Sequence, residues 1–226
     1  MFYDIFESRI YKNNKLIADE LTNQEIIEAI NNLPYNVHTL NINDNVYNFN
    51  NLPTNLNTLN IYCYDFNFSL DNLPSKLQVL HIIGFNFIVE LNYLPLSLNT
   101  LILSGDFNQP VDNLPEFLHT LILGCEFNQE INNLPNSLHT LVLGHNFNKP
   151  INNLPPNLHT LRLGKNFNQP IDNLPPTLHT LLLGKNFNQQ IENLFNSLDT
   201  LIILSSNFTQ SLDNIPSTVI TLRIGE

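Results

Sequence analysis

Tryptophan is absent from this 226-residue chain, and methionine (one) and cysteine (two) are almost absent. Alanine is scarce beside abundant Asn, Ile and Leu, a bias of the kind an AT-rich genome imposes. Cations are few: nine Lys and Arg stand against twenty Asp and Glu, for a formal net charge of −11. Nucleic-acid backbones and anionic membrane surfaces require clustered Lys and Arg, so neither is expected as a partner. No apolar run reaches 18 residues, which excludes a membrane-spanning helix. The N-terminal Met-Phe-Tyr-Asp-Ile-Phe-Glu-Ser-Arg lacks a basic region followed by an apolar stretch, so it does not read as a secretory signal. Also missing are a nucleophile motif, a phosphate-binding loop, HExxH and CxxC, so neither enzymatic chemistry nor a cofactor is expected.

What the chain does contain is a repeat. A Leu-Pro pair recurs at Leu33-Pro34, Leu52-Pro53, Leu73-Pro74, Leu94-Pro95, Leu114-Pro115, Leu134-Pro135, Leu154-Pro155 and Leu174-Pro175, with Leu194-Phe195 and Ile215-Pro216 completing the series. The step is 19 residues once, 21 twice, then 20, with a last step of 21. Ten strand-bearing segments follow one another without a linker. A single elongated solenoid over residues 33–226 is expected, with residues 1–32 as an N-terminal cap.

One unit shows the logic. In Leu138-His-Thr-Leu141-Val-Leu143-Gly144, the pattern L-x-x-L-x-L is a leucine-rich-repeat strand. Two-residue alternation turns Leu141 and Leu143 inward and Thr140 and Val142 outward, and Gly144 ends the strand. Phe147, Ile151 and Leu154 must reach back into the core. Twenty residues leave no room for a helix on the return path, and Pro150 and Pro155 would break one. The expected fold is therefore a right-handed superhelix with a parallel sheet on its concave face and an extended or 3₁₀ convex side.

Stacking turns each repeat position into a column. Phe66, Phe87, Phe107, Phe127, Phe147, Phe167, Phe187 and Phe208 form a spine read as core packing. Asn108, Asn128, Asn148, Asn168 and Asn188 run beside it as an expected column of buried amides, placed to satisfy backbone groups of the neighbouring turn. Asn207-Phe-Thr209 has the form of a glycosylation sequon, which has little weight without a secretory signal. The 21-residue units carry their extra residue between strand and spine, as in Leu80-His-Ile-Ile-Gly-Phe-Asn-Phe87, where a local bulge is expected. Cys63 and Cys125 lie about three repeats apart. At about 4.8 Å per strand that is too far for a disulfide, which points to a reduced, cytoplasmic setting.

Ahead of the repeats, Arg9 to Ile17 reads as a hairpin around Asn13-Asn14. Thr22 with Glu25 forms a capping box, Leu21 and Ile26 a hydrophobic staple, and Ile26, Ile27 and Ile30 an apolar helical face.

The run Phe107-Asn-Gln-Pro-Val and its copies beginning at Phe127, Phe147, Phe167 and Phe187 resemble the FNIP repeat, as does Leu-Gly-x-x-Phe-Asn beginning at Leu123, Leu143, Leu163 and Leu183. FNIP repeats are a branch of leucine-rich repeats found in social amoebae and large DNA viruses. The resemblance covers about residues 33–226, although these units are shorter than the family's usual period. It implies a viral or amoebal protein of the host-cell cytoplasm. Many members join their repeats to an F-box and so act as substrate adaptors of ubiquitin ligases; here the N-terminal segment is short and reads instead as a cap. Leu-Pro-x-x-Leu-x-x-Leu is also similar to repeats of bacterial effector proteins, which lack the Phe-Asn spine.

Candidate binding residues lie on the outward column Asn41, Asn60, His81, Ile102, Ile122, Val142, Arg162, Leu182, Ile202 and Arg223, flanked by Thr100, Thr120, Thr140, Thr160, Thr180 and Thr200. From Ile102 to Ile202 the strip is aliphatic except for Arg162. Apolar strips of this kind mark partner surfaces, although β-branched residues also simply suit strands. An unknown protein partner is expected there, making the chain a non-enzymatic interaction scaffold. The chain ends on Leu222-Arg-Ile224-Gly-Glu, strand-like and uncapped, so a homodimer through that edge is expected. His38, His119, His139, His159 and His179 share one repeat position. No matching column of acidic or thiol ligands accompanies them, so a structural ladder is favoured over a metal site or a His-dependent enzyme. Protonation would set like charges one strand apart, so the melting temperature should fall between pH 7.5 and pH 5.5; an unchanged value would count against the ladder.

Overall fold

The structure is a computed structural model and describes residues 2–6, 9–13, 15–18, 22–43, 51–66 and 69–225. Ten repeat strands lie in chain order: β4 (Thr39–Asn43), β5 (Thr58–Asp65), β6 (Val79–Phe85), β7 (Thr100–Gly105), β8 (Thr120–Leu123), β9 (Thr140–Leu143), β10 (Thr160–Arg162), β11 (Thr180–Leu183), β12 (Thr200–Ile203) and β13 (Thr221–Ile224). Each pairs in parallel with the next, and the register is strict: Thr120 faces Thr140, Leu121 faces Leu141, and Ile122 faces Val142. A helical crossover, the usual link between parallel strands, is replaced by an extended return path with two or three turns. One turn is closed in each repeat by a bond such as Leu158 N donating to the Pro155 carbonyl, at 3.2 Å.

The core is a stack of layers. In β8, Leu121 and Leu123 are buried while Thr120 and Ile122 are half-buried on the other face, as period-2 alternation requires. Phe107, Phe127, Phe147, Phe167 and Phe187 are fully buried, and their rings lie near-parallel at centroid separations of 6.0–6.2 Å. Nearer the N-terminus the geometry changes. Phe66 stacks on Phe87 at 4.4 Å, and Phe87 meets Phe107 edge-on at 4.8 Å.

The asparagine column satisfies the backbone where the chain leaves the sheet. The amides of Asn128, Asn148, Asn168 and Asn188 donate to the Oδ1 atoms of Asn108, Asn128, Asn148 and Asn168 at 2.9, 3.0, 2.9 and 2.9 Å. These side chains are half-buried rather than interior, and Asn108 is exposed. The glycine at the strand exit answers a close approach. A Cβ on Gly144 would sit 2.2 Å from the Gly124 carbonyl oxygen, and one on Gly164 would sit 2.0 Å from that of Gly144.

The N-terminal segment holds more sheet than the hairpin expected from sequence. β2 (Arg9–Lys12) and β3 (Lys15–Ala18) do form it, with Asn13 left-handed at φ 51°. An additional strand, β1 (Phe2–Phe6), pairs antiparallel with β2 and parallel with β4, giving a 13-stranded sheet. Asn14 and Leu21, the expected turn and staple residues, lie outside the described residues. Helix α1 (Asn23–Asn31) carries the capping box: Glu25 N donates to Thr22 Oγ1, and Thr22 N donates to Glu25 Oε2. The bonds that Thr22 N and Thr22 Oγ1 donate to Glu25 Oε2 hold the Glu25 carboxyl below its ordinary pKa. Ile26 and Ile30 are fully buried and Ile27 half-buried.

A bulge lies at Tyr64, in the 21-residue unit before the expected one: Cys63 faces Gly84 and Asp65 faces Phe85, leaving one residue over, whereas β6 pairs with β7 from Val79 to Gly84 without a shift. The strands of these first two 21-residue units are also longer, eight residues in β5 and seven in β6 against four in β8, although β12, in the last such unit, has four.

The two asparagine roles should separate in urea denaturation. Asn148 Oδ1 accepts from Asn168 N at 2.9 Å and from Gln169 Nε2 at 3.2 Å, so Asn148→Ala should cost about 1–3 kcal/mol. The side chain of the exposed Asn186 donates to another side chain, Asn166 Oδ1, at 3.1 Å, and Asn186→Ala should cost within about 0.5 kcal/mol. Equal losses would refute the distinction.

Candidate functional site

The in-register sheet fixes the candidate strip. Thr120, Thr140, Thr160 and Thr180 align across β8 to β11, and Ile102, Ile122, Val142, Arg162, Leu182 and Ile202 align in the adjoining column. All sit on the outward face of the sheet. The aliphatic members are half-buried by their neighbours, and Arg162 is exposed. The structure thus brings these residues together as one continuous surface.

The histidine ladder stands on the strand-start side of the same sheet. The rings of His119, His139, His159 and His179 stack at 5.0, 4.9 and 5.2 Å, with interplanar angles of 8–12°. Each Nδ1 lies against the carbonyl two residues earlier, on Phe117, Ser137, Asn157 and Thr177, at 2.6–2.7 Å. A carbonyl only accepts, so Nδ1 carries the hydrogen and the Nε2 lone pairs run parallel instead of converging. His38 stands apart from this stack, its Nδ1 against the Asn55 carbonyl at 3.0 Å. Among the described residues, no three His, Cys, Asp or Glu side chains are grouped to hold a metal ion. A groove of about 440 Å³ opens beside His119, flanked by the exposed Leu96 and Phe117.

On the N-terminal half of the sheet the outward face is different in kind. Asn60 Nδ2 donates to Asn41 Oδ1, and the next positions carry His81, Tyr62, Tyr64 and Phe85. Burial favours the neutral form of His81 and lowers its pKa. Its stabilising contribution is therefore present above the unfolded value and is lost as pH falls. Sequence reasoning placed His81 on this face but missed the tyrosines, because the L-x-x-L-x-L pattern ends at Ile61, four residues before β5 does. The available signal was the alternation Ile61-Tyr-Cys63-Tyr. Both cysteines are free, Cys63 buried and Cys125 exposed. Burial pushes the Cys63 thiol up to about 11.

The last repeat strand is exposed. Leu222 and Ile224 are 47% and 41% exposed, whereas Leu201 and Ile203, their partners in β12, are fully buried. No helix among the described residues is long and apolar enough to cross a membrane.

Comparison with known proteins accords with this geometry. The family described as FNIP Repeat matches residues 107–145, 127–166 and 147–186. No curated protein matches the chain. Among solved structures the chain is similar to CroV588, described as a novel circular LRR protein structure and coming from a giant virus. The two are 32% identical over 85% of this chain and 37% of that one, with a TM-score of 0.65. YopM from Yersinia enterocolitica WA-314 is 22% identical over 85% of this chain and 51% of its own, with a TM-score of 0.49. The chain thus spans little more than a third of CroV588 and about half of YopM. Taken with the ten parallel strands and the Phe-Asn columns, the FNIP Repeat match and the likeness to CroV588 make the chain a leucine-rich-repeat solenoid that carries FNIP repeats.

Proposed function

We propose that this chain is a non-enzymatic interaction scaffold that takes a protein partner along the outward face of β7 to β12. The observation that carries the reading is the column Ile102, Ile122, Val142, Leu182 and Ile202, aliphatic throughout except for the exposed Arg162. Repeat solenoids of this type are commonly used for protein–protein interaction. A strip interrupted by one cation suits a partner segment that is mainly apolar with one acidic side chain to meet Arg162. The setting we propose is the cytoplasm, host-cell cytoplasm for a viral protein; the free thiols and the likeness to a giant-virus protein support it.

A second role, substrate adaptor of a ubiquitin ligase, would place the ligase-binding surface on the first 32 residues, which we read as a cap. The full burial of Ile26 and Ile30 commits the apolar face of α1 to the core and favours the cap.

Affinity capture from host-cell lysate, with the recovered partner then reconstituted, tests the strip. Arg162→Glu with Leu182→Asp should abolish capture while the circular dichroism spectrum stays unchanged; full capture by this variant would remove the strip from the account. We also propose that the 226-residue chain pairs with a second copy through β13, supported by the exposure of Leu222 and Ile224. Light scattering should give a dimer mass, lost on Leu222→Lys; a monomeric wild type would contradict it.

A further inference from the structure

Charge is distributed unevenly along the solenoid. Residues 65–130 hold eight carboxylates and one cation, Lys76. Residues 131–191 hold one carboxylate, Asp172, and four of the chain's nine cations: Lys149, Arg162, Lys165 and Lys185. Asp172 follows Ile171 on the return path, and Lys149 follows Asn148 there. The other three cations stand on the sheet or where the chain leaves it.

Strands β9 to β11 place them. Arg162 is exposed in the outward column, in register between Val142 and Leu182. Three residues on, past Gly164, Lys165 opens the turn at the strand exit. Asn166 N donates to the His145 carbonyl and Asn186 N to the Lys165 carbonyl, both at 2.9 Å, so His145, Lys165 and Lys185 form a rim column one repeat apart. All three are exposed. Among the described residues, no ion pair or hydrogen bond engages the Arg162 or Lys165 side chain. The next carboxylate along this edge, Glu126, belongs to the repeat two before that of Lys165 and accepts from Asn146 Nδ2 at 2.8 Å.

The fold requires none of these cations. Glycine at 144, 164 and 184 is imposed by the neighbouring carbonyl, but the position after it holds Cys125, His145, Lys165, Lys185 and Ser205 in turn. In the outward column, every repeat from Ile102 to Ile202 other than that of Arg162 is aliphatic. An exposed cation inside an apolar strip, with a second at its rim, is a charge pattern that an acidic partner matches.

We infer that the segment docking on this strip is acidic as well as apolar: beyond the carboxylate that meets Arg162, it presents another to Lys165 at the strand exit, while its apolar side chains lie on Val142 and Leu182. The inference rests on the strip being the docking face and names the chemistry of what it holds. The chain's net charge of −11 opposes such a partner at long range, so the selection is local.

Fluorescence anisotropy tests it with two labelled peptides, one repeating Leu-Asp-Gly and one repeating Leu-Lys-Gly, at about 150 mM salt, where charges beyond about 8 Å are screened. The full chain should bind the aspartate peptide at least about fivefold tighter than the lysine peptide. Lys165→Glu should weaken the aspartate peptide about fivefold, and Lys165→Gln by less. Lys149→Glu makes the same charge change on the return path and should bind as wild type does. A lysine peptide bound as tightly, no binding of either peptide, undiminished binding by both Lys165 variants, or an equal loss in Lys149→Glu would each overturn the acidic occupant. The strip itself is read by capture with Arg162→Glu and Leu182→Asp, so lost capture beside equal peptide affinities would leave the strip in place and remove only its acidic occupant.

Discussion

Every other feature of this molecule depends on the strict register with which one repeat strand pairs with the next. Because Leu121 faces Leu141 and Thr120 faces Thr140 without slippage, a residue type chosen at one position is repeated along the axis. The same pairing forces neighbouring turns so close that a Gly124 carbonyl would clash with any side chain at 144. Columns of Leu, Phe, Asn, Gly and His are the consequences of one constraint. A one-residue slip would turn every inward leucine to solvent. Replacing one phenylalanine of the spine with alanine would cost about 3–5 kcal/mol by leaving a cavity that stacked neighbours cannot close.

A solenoid buries no face of its sheet between two layers of helix, so its outward column is free to vary. Along this chain it varies in blocks. The N-terminal third is aromatic and acidic, built on long strands that hold Tyr62 and Phe85 clear of the turns. The stretch that follows is aliphatic around Arg162 as far as Ile202, and its short strands β8 to β11 close with glycine. The structural repeat therefore sets where side chains can project, and the outward residues set what each stretch can hold.

Much of this was legible in the sequence, and for a physical reason. A repeat repeats its environment, so Leu138 to Pro155 alone disclosed the strand, the inward leucines, the aromatic spine and the asparagine that caps the neighbouring turn. The outward strip followed from the two-residue alternation. What escaped was aperiodic. Strand β1 joins the sheet through pairing with β4, a long-range choice that no local pattern in Phe-Tyr-Asp-Ile-Phe reveals. The outward tyrosines escaped because they follow the point where the leucine pattern ends. The asparagines were correctly placed as backbone partners but are less buried than a fully interior column, since their amide groups stand at the edge where the chain leaves the sheet.

The central claim is that side-chain amides complete the backbone ladder between repeats outside the strands. Hydrogen exchange measured residue by residue tests it most directly. The amides of Asn128, Asn148, Asn168 and Asn188, each donating to the preceding asparagine's Oδ1 at 2.9–3.0 Å, should be protected as strongly as the strand amides of Leu121, Leu141, Leu161 and Leu181. Exchange at the rate of open turn amides would contradict the account.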